Sequence, residues 1–136
     1  MKDTWPLLFG AMKDLRTAWP SRGWSWDGRL SCVTSSFSVD FEGKARAAAA
    51  VALPTEWTPA TIQRAPLPLR DLAERTGGLR AGQMIYSSAA VGVSFAYGLW
   101  WPWGDGMTTS MRIGLSGVDP SQEPFRKLRE MFAVEA

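Results

Sequence analysis

Residues 81–104 have the sequence AGQMIYSSAAVGVSFAYGLWWPWG, which contains no charged side chain. The length of this segment and the tryptophans near its end are also typical of a membrane-spanning helix. From Val91 to Trp101, however, apolar residues fall on every second position, which is the period of a β-strand. We therefore predict that residues 83–101 form two strands, or one long strand with a kink, and that the chain has no membrane span.

Amphipathic helices are predicted at both ends of the chain, because apolar residues recur there at intervals of three and four. The N-terminal stripe is Trp5, Leu8, Met12, Leu15 and Trp19, and the C-terminal stripe is Phe125, Leu128 and Phe132. Asp3 or Thr4 can cap the first helix, and Pro20 ends it. A short middle helix is expected at residues 69–75, where the glycine pair that follows provides the usual end.

Several segments have the pattern of strands. A hairpin turn is predicted at residues 27–28, Asp-Gly, since this dipeptide connects two alternating segments, residues 24–26 and residues 29–41. Residues 107–115 also alternate, which predicts a further strand. The prolines of residues 54–68 predict an irregular connector before the middle helix.

Residues 44–53 have two possible interpretations. Four consecutive alanines favour a helix, whereas apolar residues at the odd positions Ala49, Val51 and Leu53 favour a strand. We predict a returning strand, because Glu42-Gly43 offers a turn directly before it.

The predicted order of elements is helix, strands, helix, strands, helix, which is typical of an α+β two-layer sandwich. We expect a single domain over residues 1–136, with an amphipathic helix at each end, a short middle helix and an antiparallel sheet of about five strands. This order is similar to that of class I secretion chaperones and of roadblock-type dimers. No residue motif accompanies the similarity, so it implies no particular site residues.

The composition excludes several classes of chemistry. The chain has no histidine and one cysteine, Cys32, which excludes Ser-His and Cys-His nucleophiles, histidine-based zinc sites and an internal disulfide. A net charge of +2 is small for a protein that neutralises phosphates. We therefore predict no cofactor, no metal and no nucleic-acid partner.

The N-terminus and the cysteine usage indicate the compartment. The first residues lack the apolar core and the small-residue cleavage site of a signal peptide, and a lone thiol is suited to a reducing compartment. Eleven arginines against four lysines are compatible with a GC-rich bacterial genome. We expect a cytoplasmic bacterial protein.

The predicted strands have a bulky face and a face of small residues. The bulky face consists of Phe37, Val39, Val93, Phe95, Tyr97, Leu99, Met111 and Ile113. The small-residue face consists of Thr34, Ser36, Ser38, Ala48, Ala50, Ser94, Ala96, Gly98, Thr108 and Ser110, with Arg46 and Arg112 as its few charges. Because a solvated face usually carries lysine and glutamate, we expect this face to dock against another surface, most simply a second copy. The alternatives are a hydrated face, or one covered by the proline-rich connector.

Residues 100–106, WWPWGDG, form a tryptophan-rich turn. Its indoles could anchor a protein or stack on a ring ligand, although large aromatic residues mainly serve burial, and Trp101 is expected in the core. Asp105 is the best single carboxylate of the chain, but one carboxylate cannot hold a metal ion. Cys32 has no basic neighbour in the sequence and is expected to be an inert thiol.

These features predict a non-enzymatic protein-binding module of the chaperone, adaptor or immunity type that forms a homodimer. The predicted partner-binding residues are Trp100, Trp103, Asp105, Ser94, Ser110 and Arg112. One alternative is a domain that stacks a carbohydrate or another small ring ligand on its tryptophans. The other is an enzyme that depends on carboxylates such as Asp105.

Overall fold

An antiparallel sheet of six strands is the centre of the computed structural model, which describes residues 5–21 and 23–134. The strands are β1 (Ser25–Asp27), β2 (Cys32–Ser38), β3 (Thr55–Trp57), β4 (Met84–Ser87), β5 (Phe95–Pro102) and β6 (Thr108–Ser116). Their order across the sheet is β1-β2-β6-β5-β4-β3. The α-helices are α1 (Trp5–Ala18), α2 (Glu42–Ala52), α3 (Leu67–Arg75) and α4 (Glu123–Met131).

The predicted α+β fold, with a helix near each end and a short middle helix, is confirmed. The predicted stripes are buried, and they include Leu8, Met12 and Leu15 in α1, Phe125 and Leu128 in α4, and Trp19 and Phe132 just beyond these helices. α3 ends at a pair of left-handed glycines, Gly77 and Gly78, with φ angles of 93° and 81°. The predicted capping residues of α1, Asp3 and Thr4, lie outside the described residues.

The uncharged segment that resembles a membrane span forms strands instead. β4 and β5 both come from residues 83–101 and the adjoining Pro102, and they pair with each other. Across the described parts of the chain, no helix combines the length and the apolar character needed to cross a bilayer.

Residues 44–53 lie almost entirely in α2, so the prediction of a strand there is wrong. α2 buries Ala45, Ala48, Ala49 and Ala52, whose spacing places them on one side of a helix. Val51, one of the residues that favoured a strand, is 48 % exposed. The chain enters α2 through a short 3₁₀ helix, Val39–Phe41, at whose start the backbone N–H of Asp40 donates to Ser38 Oγ at 3.2 Å. The alanines fit both the period of a helix and the period of a strand. Their burial in the core on one side of the sheet favours the helix.

The connector contains the edge strand β3, which raises the number of strands from about five to six. β3 pairs with β4, and Glu56 lies opposite Tyr86. A strand of three residues is too short for its alternation to be recognised in the sequence. At the other edge, β1 pairs only with residues 32–34, so the outer edge of residues 35–38 has no strand beside it among the described residues.

The pairing of β5 with β6 determines which side chains share a face. Gly98 lies opposite Ile113, and Trp100 lies opposite Met111. This face packs under α1, α2 and α4, and its core residues are Val33, Phe37, Tyr86, Ala96, Trp100, Met111, Ile113 and Leu115. The other face contributes Ile85, Phe95, Tyr97 and Leu99, which pack against α3 and the residues before it. In addition to the two predicted layers, the fold therefore has a short third layer, α3, on the opposite side of the sheet.

The predicted division into a bulky face and a small-residue face is wrong for β5. Ala96 and Gly98 lie on the side covered by three helices, whereas Phe95, Tyr97 and Leu99 share a face with Ser110 and Arg112. Several further members of these faces are not in strands. Arg46, Ala48 and Ala50 belong to α2, Val39 belongs to the 3₁₀ helix, and Val93 and Ser94 belong to the turn before β5. Alternation separates the two faces of one strand, but it does not show which face adjoins which on the next strand.

A close approach of α2 to the sheet explains Gly98. A Cβ atom at Gly98 would lie 2.8 Å from Met111 Cε and 3.1 Å from Leu53 Cδ1, where Leu53 is the residue after α2. The buried alanines of α2 belong to the same core cluster as Ala96 of β5. No space for a larger side chain remains at Gly98.

Ala49→Leu should lower the free energy of unfolding by about 1–3 kcal/mol, because Ala49 is fully buried and a larger side chain would force its neighbours apart. Ala50→Leu is the matched control, since Ala50 is exposed on the same helix, and it should change this free energy by less than about 0.5 kcal/mol. Urea denaturation followed by circular dichroism measures both. Equal losses in the two variants would contradict the described packing of α2.

Candidate binding site on the open sheet face

α3 covers only part of its face of the sheet. The buried cluster around α3 includes residues of β4 and β5 but none of β1, β2 or β6. We call the rest of this side of the sheet the open sheet face, and it consists of Asp27, Thr34, Ser36, Ser38, Trp101, Thr108, Ser110 and Arg112. Ser36 is exposed, Ser110 is buried, and the other six are partly buried. Most of these side chains are hydroxyls, and one cation and one anion lie among them.

Arg112 is the centre of the open sheet face. Its guanidinium lies 5.0 Å from the ring centroid of Trp101, and its Nη1 donates to Ser110 Oγ at 3.3 Å. Its Nε lies 3.8 Å from Asp27 Oδ2, and this Nε is buried without a hydrogen bond to any described residue. Arg112 is therefore held on the indole of Trp101, and its buried Nε has no hydrogen-bond partner among the described residues.

The strand register brings these side chains together. Ser110 lies opposite Trp101, so Trp101 is a diagonal neighbour of Arg112 on the same face. Asp27 pairs with Cys32, in the row on the other side of Arg112. Arg112 is thus placed between an aromatic ring and a carboxylate that come from two other strands.

Two of the predicted partner-binding residues, Ser110 and Arg112, lie side by side on this face, as the alternation of β6 indicates. Trp101 was expected in the core but is half-buried here, because β5 turns this face away from the three-helix side. The sequence predicts only a turn at Asp27. No sequence signal connects Asp27 to Arg112, since the two belong to strands that are distant in the chain.

The tryptophan loop, residues 103–107, joins β5 to β6 and adjoins the open sheet face. Trp103 is 50 % exposed and Met107 is 66 % exposed, so the loop presents two large apolar side chains to solvent. The backbone N–H of Trp103 donates to the carbonyl of Thr108 at 2.7 Å, which closes the loop at its base.

Asp105 holds the tryptophan loop in its turn. Its Oδ1 accepts hydrogen bonds from the backbone N–H groups of Met107 and Thr108 at 2.8 and 2.9 Å, and its Oδ2 accepts one from Thr108 Oγ1 at 3.0 Å. These bonds, led by the one from Met107, hold the pKa of Asp105 below its ordinary value. The predicted binding carboxylate is therefore engaged within its own loop.

The other two predicted site residues, Trp100 and Ser94, lie away from the open sheet face. Trp100 is only 2 % exposed and packs against Phe37 and Tyr86, with ring centroids 5.2 and 5.8 Å apart. Ser94 lies before the other end of β5, where its hydroxyl donates to the carbonyl of Gly117 at 3.1 Å. Trp100 therefore packs in the core, and Ser94 links the turn before β5 to the end of β6.

The three indoles of residues 100–103 do not form a common platform. Trp100 is buried in the three-helix core, Trp101 has Arg112 on its ring, and Trp103 is half-exposed in the loop. Stacking of a ring ligand would have to use Trp103 alone, or displace Arg112 from Trp101.

Cys32 lies at the edge of this site, in the strand next to Asp27. Its thiol is buried, and burial, followed by the charge of Asp27, raises the pKa of Cys32 to about 12. The thiol therefore stays protonated at neutral pH and is a poor nucleophile. Within residues 5–21 and 23–134, no three cysteine, aspartate or glutamate side chains come together as metal ligands.

We expect the native protein to react with DTNB far more slowly than the protein in denaturant, because Cys32 is buried and protonated. The change in absorbance at mildly alkaline pH measures the reaction. Rapid stoichiometric labelling of the native protein would contradict the described burial of the thiol.

Asp105→Ala should lower the melting temperature at neutral pH, because the carboxylate accepts the hydrogen bonds that close the tryptophan loop. A carboxylate with a lowered pKa stabilises the fold above the pKa of the unfolded chain, and this contribution is lost as the pH falls through the lower folded pKa. The difference from the wild type should therefore shrink in acid. Thermal melts over a pH series measure it, with Asp71→Ala on the exposed side of α3 as the control. A difference that does not change with pH would contradict this role.

The site combines a cation held on an indole, a nearby carboxylate and a row of hydroxyls, which is an arrangement suited to binding by hydrogen bonds and stacking. No protein-family model, curated protein or solved structure matches the chain. The function proposed below therefore rests on the geometry of the open sheet face and the tryptophan loop.

Proposed function

We propose that the protein is a non-enzymatic protein-binding module of the chaperone, adaptor or immunity type, and that it docks through its open sheet face. The observation that supports this most directly is that helices cover the rest of the sheet and leave this part uncovered. The face carries no lysine or glutamate, which are usual on a hydrated sheet. Its hydroxyls both donate and accept, so an opposing surface can satisfy them.

The open sheet face alone is too small for a stable complex. It lies mainly on β2 and β6, with one residue each from β1 and β5, and spans roughly 200–300 Å² at the usual strand spacing. A stable interface buries about 800 Å² on each partner. The tryptophan loop adjoins the face and offers Trp103 and Met107, so we include this loop in the docking surface.

A second copy of the chain is the partner that we propose. A two-fold interface sets one surface against itself, so that surface must carry groups that complement one another. Arg112 and Asp27 supply both signs of charge on the open sheet face, and both side chains are partly exposed. In such a dimer, Arg112 of each copy can reach a carboxylate or hydroxyl of the other.

A cytoplasmic location is part of the proposal. The chain has one cysteine, Cys32, and it is buried as a free thiol. A lone thiol of this kind is suited to a reducing compartment.

At tens of micromolar the wild-type protein should be a dimer by size-exclusion chromatography with light scattering. Ser36→Arg places a long charged side chain on the exposed middle of the open sheet face and should produce a monomer that is still folded by circular dichroism. Trp103→Ala should weaken the dimer by about tenfold or more, because exposed tryptophans that become buried contribute strongly to interfaces.

Ala47→Arg is the matched control, since it adds the same charge on the exposed side of α2, across the sheet from the open sheet face. This variant should remain a dimer. A monomeric wild type at the same concentration, or equal dissociation of Ala47→Arg and Ser36→Arg, would overturn the proposed interface.

A further inference from the structure

A crevice of about 360 Å³ opens at the end of the sheet opposite the tryptophan loop. Three segments that are distant in the sequence form its walls: the loop between β1 and β2, the last turn of α3, and the residues that follow β6. This volume is at the lower end of the range of small-molecule sites. The crevice is therefore large enough for a small organic ligand.

Two arginines dominate the charge of this crevice. Its polar lining residues are Arg29, Ser31, Arg75, Thr76, Tyr97 and Ser116, and no acidic residue lines it. Neither Arg29 nor Arg75 forms an ion pair within the described parts of the chain. Both guanidinium groups are therefore available to a ligand, and each offers a planar set of donors that matches a carboxylate or a phosphate.

Tyr97 adds a hydroxyl donor that no described residue binds. The residue is only 7 % exposed, and its hydroxyl makes no hydrogen bond to a described residue. Its ring lies across Gly114, where a Cβ atom would be 2.5 Å from the hydroxyl oxygen. Burial raises the pKa of Tyr97 to about 12, so the hydroxyl keeps its proton at neutral pH and can donate. Because Tyr97 lines the crevice, a ligand bound there can accept the hydrogen bond that its hydroxyl offers.

The rest of the lining is apolar. Its larger members are Leu30, Leu72, Leu99, Leu115, Val118 and Phe125. An inorganic anion would use only the arginines and the hydroxyls and would leave this part of the crevice without contact. A ligand that fills the crevice needs an apolar body as well as a charged group.

We propose that the crevice binds a small organic anion, in which a carboxylate or a phosphate monoester is joined to an aromatic or branched apolar group. Arg29 and Arg75 bind the charged group, Tyr97 donates a hydrogen bond to it, and the leucines with Phe125 contact the apolar body. The site lies at the other end of the sheet from the tryptophan loop and beside Asp27, the end residue of the open sheet face. It goes beyond the binding function proposed above.

Isothermal titration calorimetry with phenyl phosphate and benzoate tests the proposal. At least one of these anions should bind with a Kd below about 1 mM, and the tighter one identifies the charged group. Benzamide, the neutral analogue of benzoate, and inorganic phosphate, which lacks the apolar body, should each bind about tenfold more weakly than the tighter anion.

Substitutions of crevice residues test whether the anion binds in the crevice. The double variant Arg29→Gln, Arg75→Gln should weaken binding of the tighter anion by about tenfold or more. Arg64→Gln with Arg80→Gln removes the same charge from exposed positions elsewhere and should leave the affinity unchanged. Tyr97→Phe should weaken binding about threefold or more without lowering the melting temperature, because its hydroxyl has no partner within the described chain.

Several results would overturn the proposal. They are the absence of binding by both anions, equal binding of benzamide or of inorganic phosphate, and equal losses in the two double-arginine variants. Wild-type affinity in Tyr97→Phe would contradict the hydrogen bond that we propose from the Tyr97 hydroxyl to the ligand. Light scattering on the same samples reports the dimer independently, so failure of the crevice and failure of the docking surface are distinguishable.

Discussion

The antiparallel pairing of β5 with β6 is the contact on which the rest of the structure depends. It runs along the whole of β5 and sets Trp100 opposite Met111 beneath three helices. The same register turns Tyr97 and Trp101 to the other face, where one lines the crevice and the other supports Arg112. A slip of one residue would invert the faces of β5, so that Trp100 would lose its core and Arg112 its indole.

The parts of the fold that can be predicted from the sequence are those whose period is carried by large side chains. The stripes from Leu8 to Leu15 and from Phe125 to Phe132 indicate helices because a strand would place such residues on both faces. α2 cannot be predicted in this way, since alanine fits either period and its burial depends on core residues that are distant in the chain. β3 escapes prediction because three residues show no period.

The candidate site is predictable only within single strands. Ser110 and Arg112 share a face because they are two residues apart, and alternation alone establishes this. Trp101 and Asp27 reach Arg112 through pairings between strands, which the sequence does not show. The crevice is even harder to predict from the sequence. Arg29 lies in a loop and Arg75 at a helix end, and these two segments come together only when the whole sheet has formed.

The free outer edge of β2 has a consequence for the behaviour of the protein in concentrated solution. Unpaired backbone groups along a strand can recruit the same edge of another molecule and start a fibre. Among the described residues, the stretch of β2 with no strand on its outer side is residues 35–38, because β1 pairs with residues 32–34 and the 3₁₀ helix begins at Val39. An edge this short supports few intermolecular ladder bonds, so the protein can leave it bare without a strong tendency to aggregate.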